Sequence, residues 1–302
     1  MAALIECIPN VSEGRRDVVV ASLVEAALSA APGVVLLDRT SDADHNRSVL
    51  TFLGEGEALV AAMTALVGAA LDAIDLRTHT GAHPRLGAVD VIPFVPVRGA
   101  TTADCVALAK SLGRTLADRY GLPVYLYEDA ASRPDRQNLA NIRKGEFEGL
   151  ASKMADPAWA PDFGPSAPHP SGGASVVGAR APLVAYNINL ATSDLAVADR
   201  IAKAIRHLSG GYRYVKAMGV KLEARGQVQV SINMTNVEKT PLHRVFETVR
   251  SEAERLGVAV VGSEIVGLVP QAALLAAVGH YLRLEADPGP QVLENKLLER
   301  LS

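Results

Sequence analysis

The chain is poor in cysteine, in aromatics and in clustered charge, and each shortage removes a class of protein. Two cysteines, Cys7 and Cys105, stand alone in 302 residues, in no CxxC pair and no ligand-spaced group. That excludes a disulfide framework, and two small buried thiols in a reduced intracellular chain are expected. Aromatic residues make up 4% against 49% apolar residues overall, so the core must be packed by Ala, Val, Leu and Ile. Lys and Arg are scattered in no run longer than a pair, the formal charge is −3 and the pI is near 6.2. Such a balance gives no reason to expect a nucleic-acid or membrane partner. Met1–Ile8 lacks a basic start and meets Pro9, unlike a signal peptide. Val266–Val278, the most apolar later stretch, is interrupted by Pro270 and Gln271 and is too short to span a bilayer. A cytoplasmic protein is expected.

What is present reads as an α+β chain of two units. Short β-branched runs alternate with longer Ala/Leu segments of helical period. In the second half, Pro182–Leu190 alternates like a strand, and Ser193–Leu208 has helical spacing with Ser193 as N-cap and Gly210–Gly211 as its end. Tyr212–Leu222 and Gln227–Met234 form a hairpin across Glu223–Gly226. A helix follows through Leu256, capped by Thr240 with Pro241 at its first position, and then a strand Val258–Val261. The order β-α-β-β-α-β is ferredoxin-like. The first half repeats it: strand Ala3–Ile8, helix Arg15–Ala30, strands Val34–Asp38 and Ser48–Leu53, helix Glu55–Ala73 and strand Val89–Pro96. Helix Thr101–Tyr120 and strand Pro123–Tyr127 are extra. The boundary falls at residue 178, giving units 1–178 and 179–302. Asp156–Gly178, with five prolines, is either an interdomain linker or a rigid loop whose backbone amides face a ligand; Trp159 and Phe163 favour the loop.

The densest polar stretch is Arg77–Asp90. His79 and His83 are four apart, but Gly81 and Pro84 forbid the helix that would place both on one metal. No metal is expected. A loop histidine before a strand suits proton transfer at neutral pH, and Arg85 and Asp90 keep it company. Two further polar loops, Asp42–Ser48 and Asn10–Arg16, also sit at strand ends; in the latter Ser12 reads as an N-cap with Glu13 in the first turn. Composition and spacing reach an acid–base or ligand site around His83.

The run His79-Thr-Gly-Ala-His83-Pro-Arg-Leu-Gly-Ala-Val-Asp90, continued to Arg98-Gly99, resembles the signature of the glutamate formimidoyltransferase family, which includes the formiminotransferase domain of the bifunctional formiminotransferase–cyclodeaminase. Cys7–Gly14, His45–Ser48, Pro123–Tyr127, Trp159–Ser166, Asn187–Leu190 and Val260–Pro270 match in order. The resemblance implies two α/β subdomains with a folate groove between them, in a homodimer. It implies interconversion of 5-formiminotetrahydrofolate plus L-glutamate with N-formimino-L-glutamate plus tetrahydrofolate, in histidine degradation. The family's catalytic histidine falls on His83. Its folate stretch falls on Gly164, Pro165, Ser166, Ala167, Pro168, His169, Pro170, Ser171, Gly172 and Gly173. Asn10, His45, Asn46, Arg47, His79 and Arg85 are supporting or substrate-binding candidates, with Arg47, Arg85 or Arg98 suited by guanidinium geometry to a carboxylate. Tetrahydrofolate is the co-substrate, and a cyclodeaminase would be a separate protein. Two alternatives stay open: an enzyme disposing of 5-formyltetrahydrofolate on the same scaffold, and a non-catalytic module binding folate or another small molecule.

Overall fold

In the computed structural model, which describes residues 3–301, the first half runs β1 (Leu4–Cys7), β2 (Asn10–Val11), α1 (Asp17–Ala30), β3 (Val35–Asp42), β4 (Arg47–Gly54), α2 (Gly56–Ala73), β5 (Val89–Arg98) and α3 (Thr102–Tyr120), followed by β6 (Val124–Glu128), α4 (Leu139–Arg143), α5 (Glu146–Met154) and β7 (Ser175–Ala179). The second half runs β8 (Val184–Leu190), α6 (Leu195–Ile205), β9 (Val215–Leu222), β10 (Gln227–Met234), α7 (Leu242–Arg255), β11 (Val260–Val266), α8 (Gln271–Leu282) and α9 (Leu293–Leu301). The chain divides into two units between Ala181 and Pro182.

In the first unit, β1 and β2 are two pieces of one run broken at Pro9. They lie between β4 and β5, antiparallel to both. β3 pairs with the far edge of β4. This is the ferredoxin-like order. Beyond β5 the sheet is extended by β7 and then β6, both parallel. The second unit is the bare motif, in the order β11-β8-β10-β9 with antiparallel pairing throughout.

Aliphatic packing holds each unit. α2 is apolar and long enough to cross a bilayer by length and composition, but it serves as a core helix. Its Leu59, Met63, Leu66 and Val67 are buried with Leu23, Phe52 and Ile92, each such side chain contributing about 1.5–3 kcal/mol. Cys7 and Cys105 lie in that core as free thiols. The second core joins Ile188, Leu190 and Val230 from the sheet to Ile201 and Val245 from the helices. Odd positions of β8 and β10 (Asn187, Asn189, Gln229) alternate with these, so one face of that sheet is apolar and the other polar.

Several local expectations are corrected. Ser12 is not the cap of α1: its hydroxyl donates to Gly87 O, the N-cap is Arg16, and Glu13 accepts from the amides of Arg15 and Arg16 ahead of the helix. Asp194, not Ser193, caps α6, accepting from Ala196 N. That helix ends at Ile205, three residues before the expected Leu208, and Gly210 (φ +93°) follows a 3-10 turn. The cap of α7 is Pro241 rather than Thr240. Asp156–Gly178 is no linker: Phe163 bridges Val124, and Ser175 onward forms β7 inside the first sheet. The prolines are spent on the loop, and the strand begins once they stop.

Candidate active site

A β-bulge aims the central acid. Asn10 and Val11 are consecutive, yet they pair with Val91 and Val89, leaving Asp90 as the extra residue on β5. The Asp90 side chain is fully buried. Its Oδ1 accepts from Leu86 N at 2.8 Å, and its Oδ2 accepts from Arg47 Nη1 at 2.9 Å and from Arg143 Nη2. Burial alone would raise the Asp90 pKa, but Arg143, Arg47 and the Leu86 amide outweigh it and hold the carboxyl well below its ordinary range. Arg47, from the start of β4, is held from the other side by Asn10 Oδ1, which accepts from Nη2 at 2.8 Å and from Nε at 3.2 Å. Burial draws its pKa down to about 10 against the pull of Asp90, so it is charged at neutral pH.

His83 stands against this cluster. Its Nδ1 lies 2.7 Å from Pro84 O, an acceptor only, so Nδ1 carries the proton and donates it. Arg47 Nη1, 3.1 Å from the same nitrogen, then approaches as a neighbouring charge rather than as a donor. Nε2 is left with its lone pair and has no hydrogen-bond partner among the described residues. Burial first, then the charges of Arg47 and Arg143, pull the imidazole pKa down to about 2, so the ring is neutral. The His45 ring is set edge-on at 6.1 Å between centroids, with its Nδ1 3.1 Å from Asp42.

The loop carrying His83 is irregular and held by its neighbours. His79 Nε2 faces Asn46 O at 3.0 Å, and Arg85 Nε donates to His79 Nδ1 at 3.2 Å. Both ring nitrogens are therefore occupied, and His79 is a strut. Asn46, in the left-handed region at φ +48°, accepts from Gly14 N and donates to Thr80 O, tying three loops. Arg85 spends its guanidinium on Glu146 and Glu148. Ala88 N donates to Gly172 O, and Ala174 N to Leu86 O. The approach is close enough that a Cβ on Gly173 (φ +68°) would overlap Leu86 O, and one on Gly87 would overlap Ala174 O.

Gly164–Gly173 is thus tied to the His83 loop. His169 and Gly173 form an antiparallel bridge, and His169 Nδ1 accepts from Gly172 N at 2.9 Å. Because Nδ1 accepts, the ring N–H is Nε2, and burial lowers the His169 pKa. The ring edges a cleft of about 540 Å³ lined by Gly68, Leu71, Asp72, Arg119 and Tyr120. Arg98 lies elsewhere: it is exposed at the opposite end of β5, eight residues or roughly 26 Å from Asp90 along the strand. Among the described residues no group of three His, Cys, Asp or Glu side chains could hold a metal.

Sequence reasoning passed over Arg143. It ends the short helix α4, capped at its start by Asn138, and Lys153 Nζ donates to the carbonyls of Asn141, Ile142 and Lys144 at its end. Lys153 in turn lies 3.8 Å from the Trp159 ring centre. No spacing signals Arg143, because its partner Asp90 is 53 residues away.

A neutral histidine with one open nitrogen, beside a buried guanidinium pair, is an arrangement able to accept a proton next to a bound anion. Relatives of the chain place it further. Residues 4–180 match the formiminotransferase domain, N-terminal subdomain, and residues 185–297 match the formiminotransferase domain; the chain belongs to the formiminotransferase family. It is 50% identical to the glutamate formimidoyltransferase of Streptococcus pyogenes serotype M1, over 99% of this chain and 100% of that one. It is 46% identical to the glutamate formimidoyltransferase of Thermoplasma acidophilum over 98% of this chain and 97% of that one. Identity to the formimidoyltransferase-cyclodeaminase of Rattus norvegicus is 45%, over 93% of this chain and 53% of the rat protein.

Proposed function

We propose that the chain is a glutamate formimidoyltransferase with His83 as its proton carrier. N5 of tetrahydrofolate attacks the formimino carbon of N-formimino-L-glutamate, and Nε2 of His83 takes the proton from N5. The tetrahedral intermediate then collapses. The bond from that carbon to glutamate's nitrogen breaks, and His83 returns the proton to the departing amine. The reverse reaction uses the same groups with nucleophile and leaving group exchanged, so one base serves both directions. The observation that carries this role is the 2.7 Å contact of His83 Nδ1 with Pro84 O, a carbonyl that can only accept, which keeps the ring proton on Nδ1 and leaves Nε2 as the acceptor.

Supporting roles follow from the contacts. Asn10 orients Arg47, while Asn46 and His79 brace the loop. Folate is assigned to Gly164–Gly173. In support, this stretch is hydrogen-bonded to the His83 loop through Gly172 O, and His169 offers a ring N–H at the neighbouring cleft. With the assignment go a cytoplasmic location and a homodimer, the latter to be checked by sedimentation of the purified protein.

The direct test mixes purified protein with tetrahydrofolate and N-formimino-L-glutamate and follows glutamate release alongside the folate product. Release should fall about 10²- to 10⁴-fold in His83→Ala. A variant with full turnover would remove His83 from the proton path.

A further inference from the structure

The Arg47–Asp90–Arg143 cluster carries more positive charge than it neutralises. Two guanidiniums donate to one carboxylate oxygen, so one positive charge is left over. The side chains are withdrawn from water: Arg47 is 10% exposed, Arg143 15% and Asp90 0%. The other groups bonded here add no negative charge, Asn10 being a neutral amide and His83 a neutral ring. A surplus charge held out of water is costly unless an anion joins it. Arg143 Nε is also buried without a partner among the described residues. Arg85, on the same loop as His83, makes the contrast: Glu146 and Glu148 satisfy it, so it has no charge to spare.

We propose that Arg143, together with Arg47, binds the α-carboxylate of the amino-acid substrate and so selects donors with a free α-carboxylate for His83; this rests on the transferase reading above. Reach decides which carboxylate. Arg47 Nη1 lies 3.1 Å from His83 Nδ1, so an anion on this guanidinium pair sits beside the imidazole. In N-formimino-L-glutamate a single carbon separates the α-carboxylate from the reacting nitrogen. The carboxylates of folate lie beyond the p-aminobenzoyl bridge from N5 and cannot reach both places. The arrangement also couples binding to basicity. The charges of Arg47 and Arg143 help to hold empty His83 unprotonated, and a carboxylate seated on them offsets that field when the proton has to move.

The test compares wild type and Arg143→Gln with tetrahydrofolate and three donors: N-formimino-L-glutamate, its α-amide and its γ-amide, following amino-acid release. Each series is repeated with tetrahydropteroate, which lacks the glutamate tail of folate. Arg143→Gln should raise KM for N-formimino-L-glutamate about 10- to 100-fold, the worth of a charge-assisted pair. It should do the same for the γ-amide and with tetrahydropteroate, yet leave the α-amide, already a poor donor for wild type, unchanged. Arg143→Lys, which keeps the charge and loses the fork, should recover part of the loss, and the same donor comparison in it serves if Arg143→Gln does not fold. Equal losses on all three donors would overturn the proposal and reduce Arg143 to a support for Asp90. A loss that vanishes with the γ-amide or with tetrahydropteroate would overturn it by moving the bound carboxylate elsewhere. Wild type that releases no glutamate at all would sink the transferase reading itself, a separate outcome.

Discussion

The imidazole of His83 is held neutral by its surroundings, and folding stability must register that. Its pKa is drawn from 6.5 down to about 2 by burial and by the Arg47 and Arg143 charges, whereas in the unfolded chain it returns to the ordinary value. Below pH ~6.5 the unfolded state therefore binds a proton that the folded state refuses. The contribution is complete above that pH and is lost progressively as pH falls toward the folded value. Replacing His83 with Gln should flatten the stability–pH curve between roughly pH 6.5 and 4.5, by up to about 1.4 kcal/mol per pH unit. Urea midpoints at successive pH values would show it, and an unchanged slope would mean the folded protein accepts the proton. Much of this site was visible in the sequence, since His83, Pro84 and Asp90 fall in one short polar stretch and Pro84 rules out the helix. Arg143 was not, because a lone arginine at the end of a five-residue helix has no meaning until the fold brings Asp90 to it.

At the scale of elements, α4 owes its position to a side chain outside it. Lys153 Nζ donates to three carbonyls at the end of α4 at 2.7–3.2 Å and packs on Trp159; burial and the charges of Lys144 and Arg136 lower its pKa to about 8. Lys153→Met should cost about 1–3 kcal/mol by leaving those carbonyls unpaired. It should also weaken catalysis through Arg143, so thermal melts and kcat/KM together test the link; melting affected without any change in kcat/KM would break it. Gly173→Ala should destabilise by about 1–3 kcal/mol, since φ +68° and the contact with Leu86 O both exclude a Cβ. Chemical denaturation would measure it. The regular strands of the second unit were legible because its sheet is apolar on one face only, which writes period two into β8 and β10. β7 was harder to read: its SVVGA run is buried at every residue, so it carries no alternation, and it follows the prolines directly.

For the whole molecule, the two units have cores of their own, which implies separate responses to damage. Ile188 and Ile232 belong to the core of the second unit, Leu66 and Phe52 to that of the first. Ile188→Ala should cost about 2–5 kcal/mol, and hydrogen exchange should report the loss in the amides of β8–β11 while those of α2 keep their protection. Uniform loss across both units would show that they unfold as one. The repeated β-α-β-β-α-β order was legible at this scale, because helix and strand periods alternate in both halves. The additions β6 and β7 were the part that element order alone could not seat in the sheet.

The position of β7 also bears on how the protein is made. The strand lies between β5 and β6, although the ribosome delivers it after both, at the end of the first unit. Until residue 179 has emerged, β5 and β6 have no strand to join them. The loop 164–173, anchored by β7, cannot close on Leu86 and Ala88. Domains fold as units during synthesis, so the site around His83 is expected to be among the last features of its unit to form, and a nascent chain stopped short of β7 should have a hydrophobic core but no active site.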